Sequence, residues 1–77
     1  GLSSLALQAE SVEVGITIKQ ETEDRYKISF RSSNNVDVSK ICAVFGGGGH
    51  VKAGGCTLVG TYDEVREKLV SAAKEAL

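Results

Sequence analysis

Val12-Glu13-Val14-Gly15-Ile16-Thr17-Ile18-Lys19 alternates apolar and outward-type residues without a break, and Arg25-Tyr26-Lys27-Ile28-Ser29-Phe30-Arg31 repeats the pattern after the polar stretch Gln20 to Asp24. A period of two puts Val12, Val14, Ile16 and Ile18 on one face of a strand and Tyr26, Ile28 and Phe30 on the matching face of a second. Each strand is then half-buried, and the two pair as a hairpin. Upstream, residues 1–11 have no sustained periodicity and read as a linker or the end of a preceding helix. Leu2, Leu5 and Leu7 there could mark a surface covered by a further domain.

Downstream, Ser32 to Asn35 is a turn cluster, and Asp37 is placed to cap a short helix whose apolar residues Val38, Ile41, Cys42 and Phe45 fall at i, i+3, i+4 and i+7. Gly46, Gly47, Gly48 and Gly49 end that helix, and His50 to Gly55 leads into a short strand at Cys56 to Val59. Thr61-Tyr62-Asp63-Glu64 fits a capping box, which starts a last helix with Val65, Leu69, Ala72 and Ala76 on its buried stripe. The expected class is α+β: a small mixed sheet of three or more strands packed with two helices, with a glycine-rich loop after the first helix.

At 77 residues the chain is one small domain. Its net charge of −1 excludes a polycation that holds nucleic acid by bulk charge, and 42% hydrophobic residues exclude a disordered chain. The distribution of charge is more informative: residues 1–24 carry −4, residues 25–59 carry +4 and residues 60–77 carry −1. An anionic ligand therefore belongs to the middle third, unless Arg25, Lys27, Arg31, Lys40 and Lys52 merely solvate the surface. The longest apolar run, Ile41 to Phe45, is far short of the roughly 20 residues that span a bilayer, so neither a membrane span nor a secretory signal is expected. Cys42 and Cys56 are too few for a disulfide framework and read as reduced, buried thiols of a cytoplasmic protein. With His50 as the only histidine, they are also too few for a structural zinc site.

Four consecutive glycines destabilise a fold unless their backbone is used. Glycine accepts positive φ and presents no side chain, so successive N–H groups can converge on one point and hold a phosphate. A flexible hinge is the alternative, although linkers are usually flanked by polar residues and this run lies between Phe45 and His50. Neither common phosphate loop matches. The Walker pattern requires Gly-Lys-Ser/Thr, and a dinucleotide fingerprint requires glycine where Val51 or Lys52 stands. His50 is placed to donate to a phosphate oxygen; it could equally be an ordinary surface or core histidine.

The stretch Phe45-Gly46-Gly47-Gly48-Gly49-His50-Val51-Lys52-Ala53-Gly54-Gly55-Cys56 closely resembles the glycine-rich motif of the DHH-associated substrate-binding domain, the C-terminal half of DHH-family phosphoesterases. These include RecJ-like exonucleases and the bacterial oligoribonucleases (nanoRNases) that are also 3'-phosphoadenosine-5'-phosphate phosphatases. The resemblance covers about residues 12 to 70, including Ile28-Ser29-Phe30-Arg31-Ser32 and Val36-Asp37-Val38-Ser39, and the nanoRNase branch is nearest. Gly54 departs from the family, where alanine is frequent at that place.

The resemblance implies that residues 12–77 are the substrate-binding part of a Mn²⁺-dependent phosphodiesterase acting on short oligonucleotides or 3',5'-bisphosphonucleosides. Mn²⁺ would be held by an N-terminal DHH domain whose aspartates and Asp-His-His motif have no counterpart in this sequence, so the chain alone is expected to be inactive and to bind no metal. Carried over residue by residue, Gly47, Gly48, Gly49 and His50 hold the scissile phosphate, with His50 assisting there; Gly46 of the same run belongs to the binding loop, and Lys52 is a weaker candidate. Arg31 is the candidate for a second phosphate or the base, and Arg25 and Lys27 are weaker candidates. The implied partners are the nucleotide and the DHH domain of the same polypeptide, with no membrane. A noncatalytic nucleic-acid-binding module, like the terminal domain of alanyl-tRNA synthetases, is the alternative; those relatives lack the histidine after the glycines. A structural or homodimerising domain with a glycine hinge is the third reading.

Overall fold

The computed structural model describes residues 2–9, 12–32, 37–50 and 53–76, and for Ala9, Val12, His50 and Ala76 the description covers the backbone. The elements in order are β1 (Leu2–Ala9), β2 (Val12–Thr22), β3 (Arg25–Ser32), α1 (Val38–Val44), β4 (Gly48–His50), β5 (Ala53–Val59) and α2 (Tyr62–Ala76). The five strands form one sheet in the order β1-β2-β3-β5-β4, and every neighbouring pair is antiparallel, so the sheet is not mixed as expected.

The alternation in β2 and β3 works as the sequence predicts. Val14, Ile16, Ile18, Tyr26, Ile28 and Phe30 are buried, and Ile16 faces Phe30 while Ile18 faces Ile28 across the pair. A one-residue slip would turn all six into water, so the register is strongly specified. β2 runs on to Thr22 through a register shift between Gln20 and Thr22, which leaves only Glu23 and Asp24 in the turn. The backbone of Asp24 is tied to β5's end by the Gly60 N–H, at 2.8 Å.

Both helices cover one face of the sheet. Val38, Ile41 and Cys42 of α1 and Val65, Leu69 and Ala73 of α2 join the inward residues of β2, β3 and β5 in a single core. Ala73 continues the α2 stripe one turn after Leu69 and Ala72 packs beside it half-buried; the side chain of Ala76, expected on the same stripe, lies outside the described residues. Tyr62 at the start of α2 meets Tyr26 edge to face, with ring centroids 6.0 Å apart. The capping box forms as predicted: Thr61 N–H donates to Glu64 Oε1 at 2.9 Å and Glu64 N–H to Thr61 Oγ1 at 3.2 Å. Asp37 caps α1 by accepting from Ser39 N–H at 3.0 Å.

Residues 2–9 are a strand and not a linker or helix end. β1 pairs along its whole length with β2, from Leu2 opposite Lys19 to Ala9 opposite Val12. Leu5 and Leu7 pack against the core, so only Leu2, which is 69% exposed, fits the idea of a surface awaiting a cover. Among the described residues no helix lies on the opposite face of the sheet. It presents Gly15, Thr17 and Lys19 from β2, Lys27, Ser29 and Arg31 from β3, and Ala53, Gly55 and Thr57 from β5, each exposed or half-buried.

Candidate phosphate-binding site

The four glycines after α1 divide into two pairs with different duties. Gly46 has φ 78°, the left-handed conformation that ends helices, and its N–H donates to Ala43 O at 3.1 Å while Gly47 N–H donates to Cys42 O at 2.8 Å. This is a Schellman cap, which satisfies the last carbonyls of α1. Gly46 and Gly47 therefore spend their donors on the helix and supply none to a phosphate. The expected cradle from Gly46 to Gly49 thus has two of its four N–H groups already engaged by α1. Gly48 and Gly49 belong to β4, so the glycine run is a loop only in its first half.

β4 lies at the sheet edge, paired on one side with β5. Successive residues of an edge strand point their N–H alternately toward the partner and away from it, so at least one of the three N–H groups of Gly48–His50 is unpaired by the ladder.

Close packing explains Gly47 and Gly49, and the left-handed φ explains Gly46, which has open space where a Cβ would go; Gly48 has neither reason. A Cβ at Gly47 would lie 2.2 Å from Gly55 O, and one at Gly49, where φ is 155°, would lie 2.3 Å from Gly54 Cα. At Gly48 an added Cβ would meet no atom within 4 Å, and positive φ is found at Gly46, Gly49 and Gly60 rather than there. What marks Gly48 is the open space beside its backbone rather than a left-handed φ.

The register brings the predicted residues together. Arg31 faces Ala53 across β3 and β5, and Ala53 faces His50 across β5 and β4, so Arg31 and His50 occupy one transverse row. Two interstrand steps separate their backbones by roughly 10 Å. Gly48 sits in the next outward row, opposite Gly55, which in turn faces Ser29. Arg31, exposed on the uncovered face, stands over a floor of Gly15 and Ala53, small residues that leave room beside its guanidinium. Lys52 lies outside the described residues. Arg25 and Lys27 are exposed on the same strand as Arg31, farther along it.

Beneath the glycines lie both cysteines, free and buried. Burial, with Cys42 nearby as a smaller cause, pushes the Cys56 thiol up to about 11, and burial also raises Cys42. Protonated thiols are poor nucleophiles and poor metal ligands, so they act as small apolar groups under the backbone of β4 and β5. A cavity of about 500 Å³ lies elsewhere, between the end of α1 and α2. Its lining carries Glu64, Glu67 and Glu75 against Lys68, a net negative charge.

Residues 2–77 match the DHHA1 domain family model. The chain is a DHHA1 domain. The domain is 39% identical over 59 residues to the bifunctional oligoribonuclease and PAP phosphatase NrnA of Thermus thermophilus, covering 75% of this chain and 18% of that protein. It is 32% identical over 57 residues to the protein of the same name from Mycoplasma pneumoniae, covering 74% of this chain and 17% of that protein. The DHHA1 domain thus spans less than a fifth of the length of these relatives. The family match begins at residue 2, which takes β1 into the domain and agrees with its pairing to β2. No short-range sequence signal marks the row of Arg31, Ala53 and His50; only the register of three strands does.

Proposed function

We propose that this DHHA1 domain is the substrate-binding part of a DHH phosphodiesterase acting on short oligonucleotides and 3',5'-bisphosphonucleosides. The observation that carries the proposal is the meeting of Arg31, His50 and the open position at Gly48 on one uncovered sheet face. The names of the two NrnA relatives, oligoribonuclease and PAP phosphatase, supply the substrate class.

In this reading an N–H of Gly48–His50 and the His50 imidazole hold the reacting phosphate. Arg31 forks onto a second phosphate or the base, for which guanidinium geometry is suited. Among the described residues no three His, Cys, Asp or Glu side chains come together to hold a metal ion, so no step is routed through a metal on this chain. Manganese, which would activate water, is assigned to a DHH domain of the same polypeptide.

The test is an NMR titration of the domain with adenosine 3',5'-bisphosphate. Amide signals of Gly48, Gly49, His50 and Arg31 should move, while those of Gly46 and Gly47, engaged by α1, should move less. Unchanged signals at millimolar ligand would return the glycines to a purely structural role. Binding of oligonucleotides without any response to the bisphosphonucleoside would favour the noncatalytic nucleic-acid module.

A further inference from the structure

The uncovered face continues along β3 beyond the row of Arg31. Lys27, four residues away, stands directly opposite Lys19 of β2, with Leu2 and Thr57 completing that row. Like charges at facing positions destabilise a sheet. The pair cannot escape by slipping, since its register is the one that buries Ile18 against Ile28 and Ile16 against Phe30. Both lysines are exposed. Between them and the Arg31 row lie Ser4, Thr17, Ser29, Gly55 and Gly48, with no carboxylate and no bulky side chain. The carboxylate of Glu13, on the far side of the Arg31 row, already accepts from Gln8 Nε2 at 2.6 Å. Two opposed ammonium groups facing solvent are offset by an anion set between them.

Same-face residues repeat every 6 to 7 Å or so along a strand, which puts Lys27 roughly 13 Å from Arg31. That is beyond the span of two phosphates on one ribose and within reach of a short single strand. We propose that Lys19 and Lys27 hold a further phosphate of a single-stranded oligonucleotide whose reacting end lies in the row of Arg31 and His50, so that the pair reads chain length. Leu2, exposed at the end of the lysine row, offers an apolar surface to the base there. The proposal rests on the functional reading above and adds a subsite to it.

The test compares the domain with its Lys19→Gln/Lys27→Gln variant, using adenosine 3',5'-bisphosphate and a 5'-phosphorylated five-residue oligoadenylate as probes. The variant should bind the pentamer about tenfold more weakly, as expected when a charged hydrogen bond is removed, and the bisphosphate as before. Its plot of log affinity against log salt for the pentamer should be shallower by about 0.7 for each phosphate that is no longer neutralised. Its Tm should hold or rise by a few degrees, since a like-charge repulsion is relieved. An unchanged pentamer affinity, or equal losses for both probes, would overturn the subsite while leaving the Arg31 and His50 site standing. A wild-type domain that answers to neither probe would overturn both.

Discussion

A methyl group at Gly48 points into open space, whereas at Gly47 it collides with backbone of β5. The two substitutions should therefore separate binding from folding. Gly48→Ala should keep its Tm and lose the bisphosphonucleoside-induced amide shifts. Gly47→Ala should lose about 1 to 3 kcal/mol by overpacking, read from denaturant unfolding. If Gly48→Ala binds normally, the space above Gly48 is not where the phosphate lies. Arg31 is exposed, so its replacement leaves the core untouched. In the complete protein Arg31→Lys should mainly raise KM, by about 1 to 3 kcal/mol, because lysine cannot form the bidentate contact. Under the proposed function His50→Ala should mainly lower kcat, since the phosphate it is proposed to hold is the one whose charge rearranges in the transition state. Steady-state kinetics on both variants would distinguish the roles.

At the scale of elements, caps do for the two helices what length cannot. α1 has seven residues, too few to persist alone, and is held between Asp37 at its start and the Gly46 and Gly47 cap at its end. Thr61→Ala should remove one half of the α2 capping box and cost about 1 kcal/mol, seen as a Tm lower by several degrees. Backbone and side-chain hydrogen bonds from Thr61 hold the Glu64 carboxyl below its usual range, so its contribution is present at neutral pH and fades as acid protonates it. Cys56 behaves oppositely. Its thiol is raised to about 11 in the folded protein, so above the ordinary thiol range the unfolded chain releases a proton that the folded chain keeps. Stability should fall between about pH 9 and pH 11 for that reason, and Cys56→Val should flatten this part of a Tm-against-pH curve. A slope that survives the substitution would assign the effect to other groups.

For the whole molecule, the two faces of one sheet carry different residues. The helix-covered face holds every fully buried large side chain, and the bare face holds the lysines, Arg31 and the glycine floor. With no three potential metal ligands gathered among the described residues, the purified domain should release no phosphate from an activated diester, even with Mn²⁺. Release that followed the protein through purification would contradict the proposed division of labour. Deleting residues 1–9 should uncover Leu5 and Leu7's side of the core and bare the long edge of β2. The expected outcome is a large loss in Tm and a tendency to associate, measurable by calorimetry and light scattering.

Short-range physics determined much of this protein before any fold was known. The period-two runs of β2 and β3, the Asp37 cap and the Thr61 and Glu64 box are all contacts within a few residues or consequences of strand pleating, and each is found where its residues stand. β1 was hidden because Leu2-Ser3-Ser4-Leu5-Ala6-Leu7 lacks clean alternation; its strand character comes from pairing with β2. Gly46 to Gly49 look alike in sequence, and only tertiary packing assigns two to a helix cap, one to contact with Gly54 and one to open space. Likewise Arg31 and His50 stand nineteen positions apart in the chain. They share a row because β5 is inserted between β3 and β4, and strand order is settled by long-range hydrogen bonding that no local pattern encodes.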